Sequence, residues 1–135
     1  MGTRVVARNS VGHRVEATNG TSSVVLDMSK QDGGEAKGLS PHETLLAALA
    51  GCTAMTLRVY AARKGWPLEG VELGLTHEKP PPGAPPEAKE TIGVGATLLG
   101  PLDATQKAKL MEIAQKCPVY KTLLADLAIV ETLVG

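Results

Sequence analysis

Phenylalanine is absent from this 135-residue chain, and only Trp66, Tyr60 and Tyr120 carry aromatic rings. Proteins that hold single-stranded nucleic acid stack its bases on such rings, so that class of function is disfavoured. An excess of one charge is missing too: 14 Lys and Arg balance 14 Asp and Glu. No basic field exists to draw in a polyanion or an acidic lipid surface. The longest charge-free apolar run, Leu45 to Leu57, falls short of the roughly 20 residues that span a bilayer. The opening "MGTRVVARNS" is too short and too charged for a secretory signal. The expectation is therefore a cytoplasmic protein with neither a nucleic-acid nor a membrane partner.

Cysteine is scarce, with one residue at position 52 and one at 117. In a reducing compartment such residues are more often free thiols or a redox couple than a structural staple. They lie too far apart for a C-x-x-C motif, and neither has metal-ligand spacing to His13, His42 or His77. No G-x-S-x-G is present, and "GVGATLLG" lacks the Lys-Ser/Thr ending of a phosphate loop. No cofactor and no metal are expected.

What the chain does contain reads as one domain over residues 1–135, a length that supports a single core. The first third holds three short Val- and Thr-rich runs, "RVVARN", "HRVEATN" and "TSSVVLDMS", ending at Asn9-Ser10, Asn19-Gly20 and Asp32-Gly33-Gly34. This pattern predicts a three-strand antiparallel meander, with Asn19-Gly20 as a tight hairpin. A helix is predicted from about Pro41 to Lys64. Ser40 is its N-cap, Pro41 suits the first position, Glu43 closes a capping box and Gly65 stops it. Its apolar residues fall on nearly all faces, with Ala47, Gly51 and Ala54 along one side. A helix of that kind is surrounded, and in so small a domain a partner chain is expected to supply one wall. Next come two strands joined by a stiff Pro-rich loop at about 80–89, two C-terminal helices and a final strand, "AIVETLV". Strands and helices segregate, which gives an α+β fold.

Two sites of chemistry suggest themselves. Pro118 directly after Cys117 points to a helix-capping cysteine, where backbone N–H groups and the dipole favour a thiolate, and Lys116 and Lys121 add positive charge. Cys52 lies within the apolar helix, where burial raises a thiol's pKa; a small core residue is the plain alternative. Its activation would need a cation: among Arg4, Arg8, Arg14, Arg58 and Arg63, the last lies about 16 Å along the helix and out of reach, so an arginine of the meander or of a partner chain is the better candidate. Glu43 is accounted for by the cap, and His42 reads as a solvated residue of the first turn.

The segments "LSPHETLLAALAGCTAMTLRVYAARKGWPLEGVEL" and "CPVYKTL" together resemble the OsmC/Ohr superfamily of thiol-dependent peroxide reductases, above all its OsmC-like branch. The likeness runs from about Val11 to Val134. It implies an intertwined homodimer, with antiparallel sheets packed on a central buried helix pair and sites at the subunit interface. It implies further that Cys52 is the peroxidatic thiolate and Cys117 the resolving thiol. The substrate would be an organic hydroperoxide, and a dithiol would reopen the disulfide. The chain departs from the pattern at one place. Peroxidase members carry an acidic residue directly after the proline, where this chain has His42, with Glu43 one position later. Neither Arg8 nor Arg14 sits in the family's usual arginine context. A non-catalytic protein of the same fold, with an apolar interfacial pocket for a lipid-like or thiol ligand, is the alternative.

Overall fold

The computed structural model describes residues 2–135. It falls into two compact units, the first running up to Ala47 and the second from Ala48 to Gly135. The first unit is the expected meander: β1 (Val6–Val11), β2 (Arg14–Thr18) and β3 (Ser23–Leu26), antiparallel in the order β1-β2-β3. Asn19 makes the second turn, its Oδ1 accepting the N–H groups of Thr21 and Ser22 at 2.9 and 2.8 Å. The first turn lies later than the expected Asn9-Ser10. Both of those residues belong to β1, and the Asn9 amide donates to the carbonyls of Gly12 and Arg14 at 3.0 and 2.8 Å. Asn9 thus ties a turn at Gly12-His13 from within the strand, next to a break in register between Asn9 and Val11.

After β3, the buried Asp27 gathers the following loop. Its carboxylate accepts the N–H groups of Met28 (2.8 Å), Glu35 (3.3 Å) and Lys37 (3.1 Å). These bonds to backbone N–H groups, with that of Lys37 foremost, hold its carboxyl below the usual range against the opposing effect of burial. The chain then enters α1 (Pro41–Lys64) through the expected capping box. Ser40 Oγ accepts the Glu43 N–H at 3.2 Å, and Glu43 Oε1 accepts the Ser40 N–H at 2.8 Å.

The second unit begins within α1. Leu49, Thr53, Leu57 and Ala61, spaced one turn apart, form the buried stripe of the helix. Leu57 and Ala61 join Leu68, Leu102, Leu110 and Ile113 in the core, with Tyr60, Trp66, Val71, Leu98 and Ala114 packed against it. Gly65 ends α1 in the left-handed region at φ +69°, where any other residue would be strained. The hairpin of β4 (Gly70–Glu78) and β5 (Thr91–Leu99) pairs without slippage from Gly70–Leu99 to Glu78–Thr91, and the Pro-rich connection between them stays outside the sheet. Gly100 follows at φ +123°, so close to the Pro67 carbonyl that a Cβ there would collide with it. Helices α2 (Ala104–Ala114) and α3 (Pro118–Leu124) complete the unit. Asp103 and Gln106 form a second capping box at the head of α2.

Two expectations need correcting. No strand forms after α3: residues 125–135 adopt no regular element, and Ile129, Val130, Leu133 and Val134 stand largely exposed. An isolated strand cannot satisfy its backbone alone, so its pattern needs a neighbour that this chain by itself does not offer. Judged as a whole helix and not by its charge-free run, α1 is also long and apolar enough, by length and composition, to cross a membrane. Helices that cross a protein core share those properties, and α1 contributes its buried stripe to this one. The architecture is α+β, with two small antiparallel sheets and three α-helices.

Candidate functional site

Cys117 sits where α2 hands over to α3. The chain leaves α2 through a tight turn, with the Cys117 N–H reaching the Ala114 carbonyl at 3.4 Å. Pro118 then disfavours helical dihedrals at the residue before it, and Cys117 takes φ −58°, ψ 128° as the N-cap of α3. In that position its sulfur accepts the Tyr120 N–H at 3.5 Å. The side chain is completely buried. The capping cysteine expected from the Cys-Pro pair is therefore present.

Cys52 occupies the middle of α1, one residue before the buried Thr53, and is half-buried. Both cysteines are free thiols, and they lie close enough to shift each other's ionisation. The core packing of α1 against α2 thus joins two residues that the sequence keeps far apart. Burial pushes the Cys52 thiol above its ordinary range. The hydrogen bond with Cys117 and that neighbour's charge push the same way, while the Val119 N–H and the Thr56 hydroxyl pull back. Cys117 moves in the opposite direction. Burial would raise its pKa, but hydrogen bonds from Cys52, the Tyr120 N–H, the Thr53 hydroxyl and the Val119 N–H outweigh burial and bring it below the usual thiol range. Thr53 and Thr56 are the neighbours of the pair that the sequence reading missed, whereas the first amides of α3 were expected from the Cys-Pro pair. Thr56 lies one helical turn beyond Cys52, a spacing that could have marked it.

The remaining candidates are occupied elsewhere or lie at the surface. Glu43 is held in the α1 cap, and its bonds with Ser40 keep its carboxyl below the usual range. His42 is exposed in the first turn. Arg14 pairs with Glu35 at 3.1 Å, both partly in solvent, and Arg58 donates to the Leu68 carbonyl at 2.7 Å. In the first unit a depression of about 520 Å³ is bordered by Asp27, Asp32 and Glu43. Their carboxylates already accept hydrogen bonds from backbone N–H groups or from the Ser29 hydroxyl. Among the described residues, no group of three His, Cys, Asp or Glu side chains could hold a metal ion.

The sequence finds no match among curated proteins. Several solved structures share the fold. An OsmC-like protein from Mycoplasma pneumoniae superposes with a TM-score of 0.75 at 20% identity, covering 91% of this chain and 87% of its own. An organic hydroperoxide resistance protein OsmC from Legionella pneumophila gives 0.64 at 25% identity, with 92% and 90% covered. The organic hydroperoxide resistance protein OhrB of Bacillus subtilis gives 0.62 at 19% identity, with 93% of each chain covered. The family model described as OsmC-like protein matches residues 34–131, a span that holds both cysteines and the helices carrying them. With that match over most of its length, the chain belongs to the OsmC-like protein family.

Proposed function

We propose that this protein is a thiol-dependent hydroperoxide reductase that works as a homodimer in the cytoplasm. The observation that carries this reading is the proximity of Cys52 and Cys117, two free thiols remote in sequence that lie close enough in the second unit to shift each other's ionisation. Cys52, the more accessible sulfur, attacks the distal oxygen of the peroxide. An S–O bond forms, the O–O bond breaks, and the alkoxide leaves with a proton as the alcohol. Cys117 then attacks the Cys52 sulfenic acid, forming the disulfide and releasing water. An external dithiol reopens the disulfide by exchange. Hydroperoxide resistance in the names of the Legionella and Bacillus proteins supports an organic peroxide as the substrate class.

The dimer is supported by apolar surface that one chain leaves uncovered. Met55 and Val59 on α1 are 70% and 50% exposed, and the C-terminal residues Ile129, Val130, Leu133 and Val134 are more so. Such surface is uncommon on a monomer.

One equivalent of cumene hydroperoxide should remove both free thiols of the reduced protein. Steady turnover with dihydrolipoamide should vanish in C52S. A C52S protein that consumes the peroxide as fast as wild type overturns the reading. A second reading, a ligand-binding protein of the same fold, is favoured by His42 in the place of the acidic residue. It would show as thiols that survive excess peroxide.

A further inference from the structure

The turn at Asn19-Gly20 sets a carboxamide next to the one residue type whose backbone nitrogen has no Cβ beside it. Hydrogen bonds converge there on a single atom. Asn19 Oδ1 accepts the N–H groups of Thr21 and Ser22 at 2.9 and 2.8 Å and the Thr21 hydroxyl at 3.2 Å. Three donors on one carbonyl oxygen draw electrons from its carbon. They also hold negative charge that develops on the oxygen, as an oxyanion hole does. The Gly20 nitrogen, by contrast, is engaged. Its N–H donates to Thr18 Oγ1 at 3.0 Å, and the Thr18 hydroxyl is fixed in turn by donating to the Ser22 carbonyl at 2.9 Å. Arg4 and Arg8 border a depression of about 210 Å³ together with Thr18, Asn19 and Gly20. Their charge favours an anion in it, and Glu16, which pairs with Arg8 across the sheet, offsets a part of that.

We infer that Asn19 is a modification site: a carboxamide primed to deamidate through a cyclic imide, with Thr18 as the residue that restrains it. The Gly20 N–H leaves Thr18 and gives its proton to hydroxide, and the nitrogen bonds to Asn19 Cγ. The Cγ–Nδ2 bond then breaks, and ammonia departs with a proton from water, which restores the hydroxide. Water opens the five-membered imide at either of its carbonyls, giving aspartate or isoaspartate. One asparagine and one water thus give one carboxylate and one ammonium ion, and nothing is oxidised or reduced. The two products differ in what they do to the turn. Aspartate retains an oxygen for the three donors and sets its charge beside Arg4 and Arg8. Isoaspartate adds one carbon to the main chain of a turn closed by the Asn19 N–H on the Ser22 carbonyl at 3.2 Å, and so loosens the hairpin.

The test is peptide mass spectrometry of the full chain held at mildly alkaline pH, reading the conversion of Asn19 with time. T18V keeps the shape of the side chain and removes the acceptor of the Gly20 N–H. Its Asn19 should convert about 2- to 10-fold faster than in wild type, the worth of one net hydrogen bond. A T18V protein that converts at the wild-type rate, or more slowly, overturns the inference. The same comparison in urea, where the turn is open, should give equal rates for the two chains. A faster T18V that persists there belongs to the local sequence and not to the folded turn, and also overturns it. T21V removes one of the three donors to Oδ1 and should convert more slowly than wild type in the folded state. An unchanged or faster T21V overturns the priming. Thr21 is exposed, so this arm serves if T18V fails to fold.

Discussion

Asp27 is a single carboxylate that fixes a ten-residue stretch of chain, and its ionisation is coupled to folding. Its native pKa lies below the ordinary value, chiefly through the N–H of Lys37, with burial opposing and Met28 and Glu35 adding to the depression. The sign follows from linkage. A carboxyl depressed in the folded state contributes stability above its unfolded pKa, and that stability is lost as pH falls through the folded one. Wild type should therefore lose melting temperature on acidification from about pH 5 to pH 2. D27N should start several degrees lower at neutral pH and show a shallower acid dependence in calorimetry. Among single residues, the capping roles of Ser40, Glu43 and Cys117 were legible in the sequence, because a cap is a local event signalled within three positions. The proximity of Cys52 and Cys117 was not legible from the residues alone. It depends on how two helices pack, and no local pattern encodes that; only the likeness to a family pointed to it.

Elements show the same division. The strands of both sheets and all three α-helices follow from periodicity and from their stop signals, with bounds close to those expected. The first turn was misplaced because Asn9 and Ser10 look like turn residues, while the Asn9 side chain ties the true turn from inside β1. The final strand was expected from its β-branched residues, but strand formation requires a partner edge, which lies outside any local reading. The core elements allow a graded test. Leu110 on α2 is fully buried and its neighbour Met111 is 40% exposed. L110A should cost about 2–5 kcal/mol in urea denaturation, and M111A should stay within about 0.5 kcal/mol of wild type. At the end of β5, G100A should cost about 1–3 kcal/mol from its left-handed backbone alone, with the collision against the Pro67 carbonyl adding to that.

At the scale of the whole molecule, the exposed side of α1 and the uncovered C-terminal residues are the features that one copy leaves unsatisfied. Under the proposed homodimer, V59D should shift sedimentation from two copies to one and lower the melting temperature. An unchanged sedimentation coefficient for V59D would argue against that face as the contact. One consequence of the α3 cap reaches beyond catalysis. The first turn of that helix is anchored on a sulfur, and Tyr120 donates its amide to it. Once that sulfur joins a disulfide, it can no longer take on negative charge, and its grip on the amide weakens. The backbone of Val119 and Tyr120 should then exchange hydrogen with solvent faster in oxidised protein than in reduced. Those two amides would act as a built-in gauge of the protein's redox history, readable by NMR without any label.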